Sequence, residues 1–234
     1  MTTLELDTGV TRDGVVVISH ERRLVPAVAR GPDGEWLSEP GPLIHDLTYA
    51  ELERYDVGRL NPATRYARQF PDQVPADGAR IPRLADLFAL VNKAGNDTVR
   101  FNIEIKSSPE APRDTLPPEE FARTLIAAIR AAGMEKRSTI ESFDWRSLKA
   151  VQALAPEIPT VYLSARQSWL DNILAAAPAG SPWTGGVQFA AYGSVPKMVK
   201  AAGGKIWSPY FGDLDGEQLA EAHTLGLKVI VWTV

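Results

Sequence analysis

The chain has 234 residues, 44% of them hydrophobic and 23% charged, with a net charge of −4. This balance is ordinary for a globular protein of one large α/β domain or two small ones, and it offers no basic surface for nucleic acid or an anionic membrane. With no cysteine, disulfides and thiolate metal sites are excluded, and any metal must be held by oxygen or imidazole; no apolar run approaches the roughly 20 residues of a membrane span.

Residues 4–20 read LELDTGVTRDGVVVISH. LELD and VVVIS are β-rich runs, and Asp13-Gly14 between them is a two-residue hairpin signal. A turn at those two residues predicts that Arg12 pairs with Val15, Asp7 with His20 and Glu5 with Arg22. Residues i and i+2 share one face of a strand, and directly opposed side chains have Cβ atoms roughly 5 Å apart. The expected outcome is two acids and an imidazole, Glu5, Asp7 and His20, converging on one spot. A solvated outer face of an ordinary hairpin is the alternative.

Residues 21–80 are rich in Pro, Gly, Asp and Arg and show little periodicity beyond a short helix in TYAELERY, started by Thr48. The segment reads as a long excursion folded over one end of the domain, a length typical of functional lids or disorder. From Ile81 the pattern is regular. Leu84, Leu87, Phe88 and Val91 are spaced as a helix face; TVRFNIEIK (98–106) is a strand; 116–133 is a helix with Phe121, Leu125 and Ile129 on one face. STIESF (138–143), TVYLSA (160–165), GGVQFA (185–190), KIWSPY (205–210) and LKVIVWTV (227–234) are expected strands. The helix marked by Leu148, Val151 and Leu154, then WLDNILAAA, VPKMVKAA and GEQLAEAHTLG, are expected helices. Alternating strand and helix predicts parallel βα units and favours a TIM (β/α)₈ barrel over a doubly wound open sheet.

In a barrel the chemistry sits at the C-terminal ends of the strands. Glu5 and Asp7 end the first run; Glu104 and Lys106, again an i, i+2 pair, end NIEIK; Glu141 and Ser142 end STIES; Ser208 and Tyr210 end KIWSPY. Glu5, Asp7 and Glu104 can form an oxygen-rich site for Mg²⁺ or Ca²⁺. Lys106 can hold a phosphate as a point charge, and His20 can act as general acid or base. A structural ion pair between Glu104 and Lys106 is the other reading, although burying both charges costs several kcal/mol unless compensated. Trp232 is either core filling or a wall of a substrate site. His45 and His223 lack such company and read as surface or helix residues.

Taken together, these stretches resemble the glycerophosphodiester phosphodiesterase family over nearly the whole chain. LELD followed by TRDGVVVISH resembles the family's E-x-D metal pair and the hairpin ending in its second catalytic histidine. ARIPRLADLF resembles the approach to the third barrel strand. NIEIK resembles the motif with a further metal-binding Glu and a Lys near the phosphate, and ESFDW and VIVWTV resemble later strands.

The resemblance implies a TIM barrel that hydrolyses a small-molecule glycerophosphodiester to sn-glycerol 3-phosphate and an alcohol. It implies a divalent cation, Ca²⁺ or Mg²⁺, on Glu5, Asp7 and Glu104. Lys106 would contact phosphate and serve catalysis, His20 would be one of two acid/base histidines, and Trp232 would line the substrate site. It makes 1–234 a single domain with 21–80 as an insertion over the active-site face. The family also has a first strand ending in His-Arg-Gly, a Pro-Glu-Asn stretch and a final strand, none of which is found here. The expectation is therefore a barrel cut at both ends, holding about six of eight strands, with an inert metal- or phosphate-binding remnant or a related head-group phosphodiesterase as alternatives. Periplasmic or secreted location is implied for the full-length form, with the cytoplasm as the alternative.

Overall fold

The structure, a computed structural model, describes residues 2–233. Its centre is a mostly parallel α/β sheet. The strands are β1 (Thr3–Val10), β2 (Val16–Ile18), β3 (Arg100–Ile105), β4 (Ser138–Ser142), β5 (Thr160–Ser164), a small hairpin β6 (Arg166–Gln167) and β7 (Leu170–Asp171), β8 (Ile206–Pro209) and β9 (Lys228–Val229). The helices are α1 (Tyr49–Leu52), α2 (Leu84–Lys93), α3 (Pro118–Ala131), α4 (Trp145–Leu154), α5 (Phe189–Tyr192), α6 (Val195–Ala201) and α7 (Gly216–Thr224). The main sheet runs β2-β1-β3-β4-β5-β8-β9; every neighbouring pair after β2-β1 is parallel. Among the described residues β9 and β1 do not pair, so the barrel stays open. Both edges border one cavity of about 610 Å³, with Thr3 and Glu5 on one side and Lys228 and Ile230 on the other.

Strand alternation decides what each face holds. Phe101, Ile103, Ile105 and Ile140 belong to the main hydrophobic core, Leu4 and Leu6 pack against it half-buried, and the Phe121, Leu125 and Ile129 face of α3 packs into it. The intervening residues, Glu5, Asp7, Asn102, Glu104, Thr139 and Glu141, are left to the opposite, inner face.

The hairpin forms where expected but one residue out of the predicted register. Thr8 pairs with Ile18, Gly9 with Val17 and Val10 with Val16. The loop is Arg12-Asp13-Gly14, three residues rather than two. It is closed by Thr11 N–H to Val15 O (3.0 Å) and Gly14 N–H to Thr11 O (2.9 Å). Gly14 sits at φ 81°, the left-handed conformation that ends a three-residue hairpin loop. Asp7 therefore faces Ser19, whose N–H donates to Asp7 O at 2.9 Å. The expected pairings of Asp7 with His20 and Glu5 with Arg22 do not form.

Two further elements differ. WLDNILAAA is no helix: it supplies the second strand of the small hairpin and then a loop. Asp171 Oδ1 accepts from the N–H groups of Ile173 and Leu174 (2.9 and 2.8 Å), and Leu174 has φ 47°. Asn172 is fully buried; its amide donates to Phe143 O and Leu163 O, and its Oδ1 accepts from Ala165 N–H. Such side-chain bonds to backbone compete with a helix. GGVQFA is no strand either, because Gly185 and Gly186 stand at φ 61° and 94°, and Phe189 opens α5.

Residues 21–80 carry their own small core, with Leu24, Ala29, Ile44 and Leu52 packed, together with Ile81, on Val17 of β2. The Thr48 and Glu51 capping box starts α1. Charge pairs of Arg30 with Asp56 and Asp77, and of Arg59 with Asp77, tie the outer turns together.

Asp144 locks α4 beneath the end of β4. It is 0% exposed, accepts from the N–H of Arg146 as helix N-cap, receives the Arg146 guanidinium at 2.7 and 2.8 Å, and accepts from Ser107 Oγ at 2.9 Å. Replacing it strands several donors at once. Asp144→Ala is expected to cost about 2–3 kcal/mol of stability in urea unfolding, and a change below about 0.5 kcal/mol, the level of an ordinary surface substitution, would contradict this role.

Candidate active site

Register builds the site. Asp7 pairs with Glu104 across β1 and β3, and Glu104 with Glu141 across β3 and β4. Paired residues on parallel strands point to the same face, so Asp7, Glu104 and Glu141 form a row across three strands. Glu5 lies one row earlier, level with Asn102 and Thr139. Oxygen atoms of Glu5, Asp7 and Glu104 all lie within 4.8 Å of one another. Lys106, just past the end of β3, reaches back over them. Its Nζ is 3.1 Å from Asp7 Oδ1 and 3.1 Å from Glu104 Oε2.

The electrostatics follow from this crowding. Burial raises Glu104 well above the usual carboxylate range, with Lys106 pulling the other way and Asp7 and Glu141 adding to the rise. Glu5 is raised too, by desolvation and then by Asp7. Burial disfavours the Lys106 ammonium, but Glu104 and Asp7 outweigh it and the net direction is upward. Glu141, only 4% exposed, is pushed by burial up to about 8. Asn102 opposes that rise; its Oδ1 accepts from Thr139 Oγ1 at 2.6 Å, which leaves its amide N–H groups for Glu141. The set of hard oxygen donors on Glu5, Asp7 and Glu104 fits a divalent cation of the Mg²⁺ or Ca²⁺ class. A cation there answers the same clustered charge that Lys106 answers.

His20 reaches this site by a route other than the expected pairing. It follows β2, where the chain leaves the sheet. Its Nδ1 lies 2.9 Å from Glu21 Oε1, and both side chains are largely exposed. The hydrogen bond to Glu21 raises the His20 pKa against an opposing burial effect, and the same bond lowers Glu21. With Nδ1 occupied, Nε2 is the nitrogen left to act.

These groups share a cavity of about 350 Å³. The charged residues His20, Glu21, Arg22, Glu104 and Lys106 line it together with Ser107, Ser108, Phe143, Trp169, Leu170, Trp183 and Trp232. Trp232 is therefore a wall of the cavity. Its ring lies 5.1 Å from Phe143 and 6.0 Å from Trp169, both edge-on, and its Nε1 donates to Ser208 O at 3.1 Å. His45 sits in a 3₁₀ turn and His223 on α7, neither in this cavity. Sequence reasoning placed Glu141 at the end of its strand but gave neither it nor Glu21 a role, and it left out Trp169 and Trp183. The Thr139, Glu141 alternation in STIES carried the signal for the first; nothing local placed the two tryptophans together.

The model of the Glycerophosphoryl diester phosphodiesterase family matches residues 1–234. A glycerophosphodiester phosphodiesterase of Caldanaerobacter subterraneus subsp. tengcongensis is 26% identical over 231 residues, covering 99% of this chain and 73% of that protein. A protein of Silicibacter pomeroyi DSS-3 assigned as a glycerophosphoryl diester phosphodiesterase has a crystal structure that matches with a TM-score of 0.82 at 36% identity, over 100% of this chain and 73% of its own. An Oleispira antarctica phosphodiesterase, solved with the product sn-glycerol-3-phosphate, shares the fold with a TM-score of 0.64 at 20% identity, over 100% of this chain and 73% of its own.

Two measurements check the site's electrostatics. The Glu21→Gln variant should lower the His20 pKa, read by NMR titration of the imidazole; an unchanged value would detach the pair. Glu141 titrates from 4.5 in its unfolded reference to about 8 in the fold, so the folded state binds the extra proton between those values. Metal-free stability should therefore fall as pH rises from about 5 to about 8, and Glu141→Gln should flatten that fall in thermal unfolding. An equally steep slope in the variant would show that Glu141 is not its source.

Proposed function

The chain belongs to the glycerophosphoryl diester phosphodiesterase family, and from that premise we propose that it hydrolyses glycerophosphodiesters to sn-glycerol 3-phosphate and an alcohol with the help of a divalent cation. The observation that carries this reading is the single cavity in which Glu104 and Lys106 meet His20, with Asp7 and Glu5 beside Glu104.

Each residue then has a part. Glu5, Asp7 and Glu104 would hold the cation, which would offset charge on the phosphoryl oxygens. Lys106, beside these carboxylates, pairs its ammonium with a phosphate oxygen as a point charge. Arg22 adds positive charge to the lining of the same cavity. His20 Nε2 moves a proton to or from an oxygen of the diester, and Glu21 fixes the tautomer through Nδ1. The elevated His20 pKa keeps the protonated ring populated close to neutral pH, as an acid donating to a leaving alcohol requires.

One observation favours a second reading. Among the described residues His20 is the only histidine lining this cavity, so a second proton transfer needs another group. If none serves, the site binds a phosphodiester without turning it over.

An assay for released sn-glycerol 3-phosphate separates the two. Hydrolysis should require Mg²⁺ or Ca²⁺, stop with chelator, and fall about 10²- to 10⁴-fold in His20→Ala. Diester binding seen by calorimetry with no product release would support the second reading. Full activity in His20→Ala would remove His20 from the chemistry.

A further inference from the structure

We infer that the 21–80 insertion carries a membrane-surface docking patch: Tyr66, Phe70 and Val74, flanked by Arg65 and Arg68, seat the protein on a bilayer of anionic phospholipid. None of residues 60–76 lines the cavity that holds His20 and Lys106. The patch is therefore separate from the chemistry and stands whether or not the chain turns over a diester.

The fold leaves three apolar side chains of this segment uncovered. Tyr66 is 45% exposed, Phe70 48% and Val74 83%. The two rings lie 5.0 Å apart, tilted by 57°, so they form one surface. The small core of the insertion takes neither ring. Yet the segment is held firmly at both ends. At its start Asn61 Nδ2 donates to Pro26 O at 3.1 Å, Asn61 Oδ1 accepts from Ala63 N–H at 3.1 Å, and Thr64 Oγ1 donates to Asn61 O at 2.7 Å. At its end Ala76 N–H donates to Gly58 O at 2.7 Å. The backbones approach so closely there that a Cβ at Gly58 would stand 1.8 Å from Ala76 O. The 3₁₀ turn Ala67–Gln69 sits between these two anchors. Apolar groups clustered and held outside the core in this way mark an interaction surface.

Charge selects the partner. The whole chain has a net charge of −4, but from Asn61 to Pro71 the sequence holds Arg65 and Arg68 and no acid; Asp72 is the first acid beyond them. Elsewhere in the insertion Arg30 and Arg59 are neutralised by Asp56 and Asp77. Arg65 and Arg68 are both exposed and, among the described residues, have no acidic partner. Rings set between free arginines suit a headgroup layer: the rings enter the acyl boundary while the guanidinium groups stay level with the phosphates. An anionic bilayer supplies apolar depth and negative charge together. A second copy of the chain, docked patch to patch, would instead set these arginines against their own counterparts. Among the described residues no helix is long and apolar enough to cross a membrane, so the contact is with the bilayer surface.

The test is co-sedimentation of the whole chain with vesicles of phosphatidylglycerol or of phosphatidylcholine. Binding to phosphatidylglycerol should be about tenfold tighter or more, as two basic side chains at an anionic surface supply. The double variant Arg65→Gln, Arg68→Gln should remove that preference. Phe70→Ser should weaken binding to phosphatidylglycerol roughly tenfold through the apolar area it withdraws. Val74→Ser should weaken it in the same direction, and its site, the most exposed of the three, keeps the test decisive if Phe70→Ser disturbs the insertion. Equal binding to the two lipids, binding to neither, or binding unchanged in all these variants would overturn the inference. So would a concentration-dependent dimer in lipid-free solution that Phe70→Ser or Val74→Ser dissociates, because the patch would then belong to a second copy.

Discussion

Everything at this site depends on one electrostatic constraint: carboxylates on neighbouring parallel strands, crowded on one face and bridged by a single ammonium. Lys106 stands 3.1 Å from both Asp7 and Glu104. Glu104 is buried, and Glu141 beside it in register is buried too. Like charges so close cannot all remain ionised without compensation, and burial makes the imbalance worse. The upward shifts of Glu5, Glu104 and Glu141 are how the fold meets that imbalance without a metal. A divalent cation on these oxygens would meet it more directly, by displacing the protons.

The apolar face of the sheet makes the constraint tolerable. The same alternation that sends acids inward sends Leu4, Leu6, Phe101, Ile103 and Ile140 into the helix-covered core. The strands cannot slip by one residue to relieve the acids, since a slip would turn the apolar set toward the polar face. Thr8 Oγ1, donating to Glu104 O at 2.6 Å, and Ser142 Oγ, donating to Ile105 O at 2.8 Å, pin β1 and β4 to β3 beside the carboxylates. Core packing thus holds in place a polar cluster that would not assemble by itself.

Much of this could be read from the chain. LELD and NIEIK show their faces by alternation, so Glu5, Asp7, Glu104 and Lys106 were legible as inward pairs. Glu141 shows the same alternation. Its place in the row, however, depends on the lateral register between β3 and β4, which no single strand encodes. The His20 pairing failed because Asp13-Gly14 suits a two-residue turn, whereas Gly14 takes the left-handed position at the end of a three-residue loop. WLDNILAAA has helical spacing, but Asp171 and Asn172 spend their side chains on backbone groups. The aromatic wall was the least legible feature. It is assembled by segments far apart in sequence, and only Trp232 was singled out as a wall.

The missed register has a consequence for His20. Opposite Asp7 in the ladder, its ring would have been fixed by two strands and pressed against a carboxylate of the metal-binding set. One residue of shift gives that place to Ser19 and moves His20 onto the exit from β2, where Glu21 alone orients the ring. An imidazole in the ladder would compete with any cation for Asp7. On the exit it keeps a carboxylate partner of its own. The two charge systems still feel each other: the Glu21 hydrogen bond dominates the His20 shift and burial opposes it, while Lys106 and Asp7 act on the same ring as further, opposing influences.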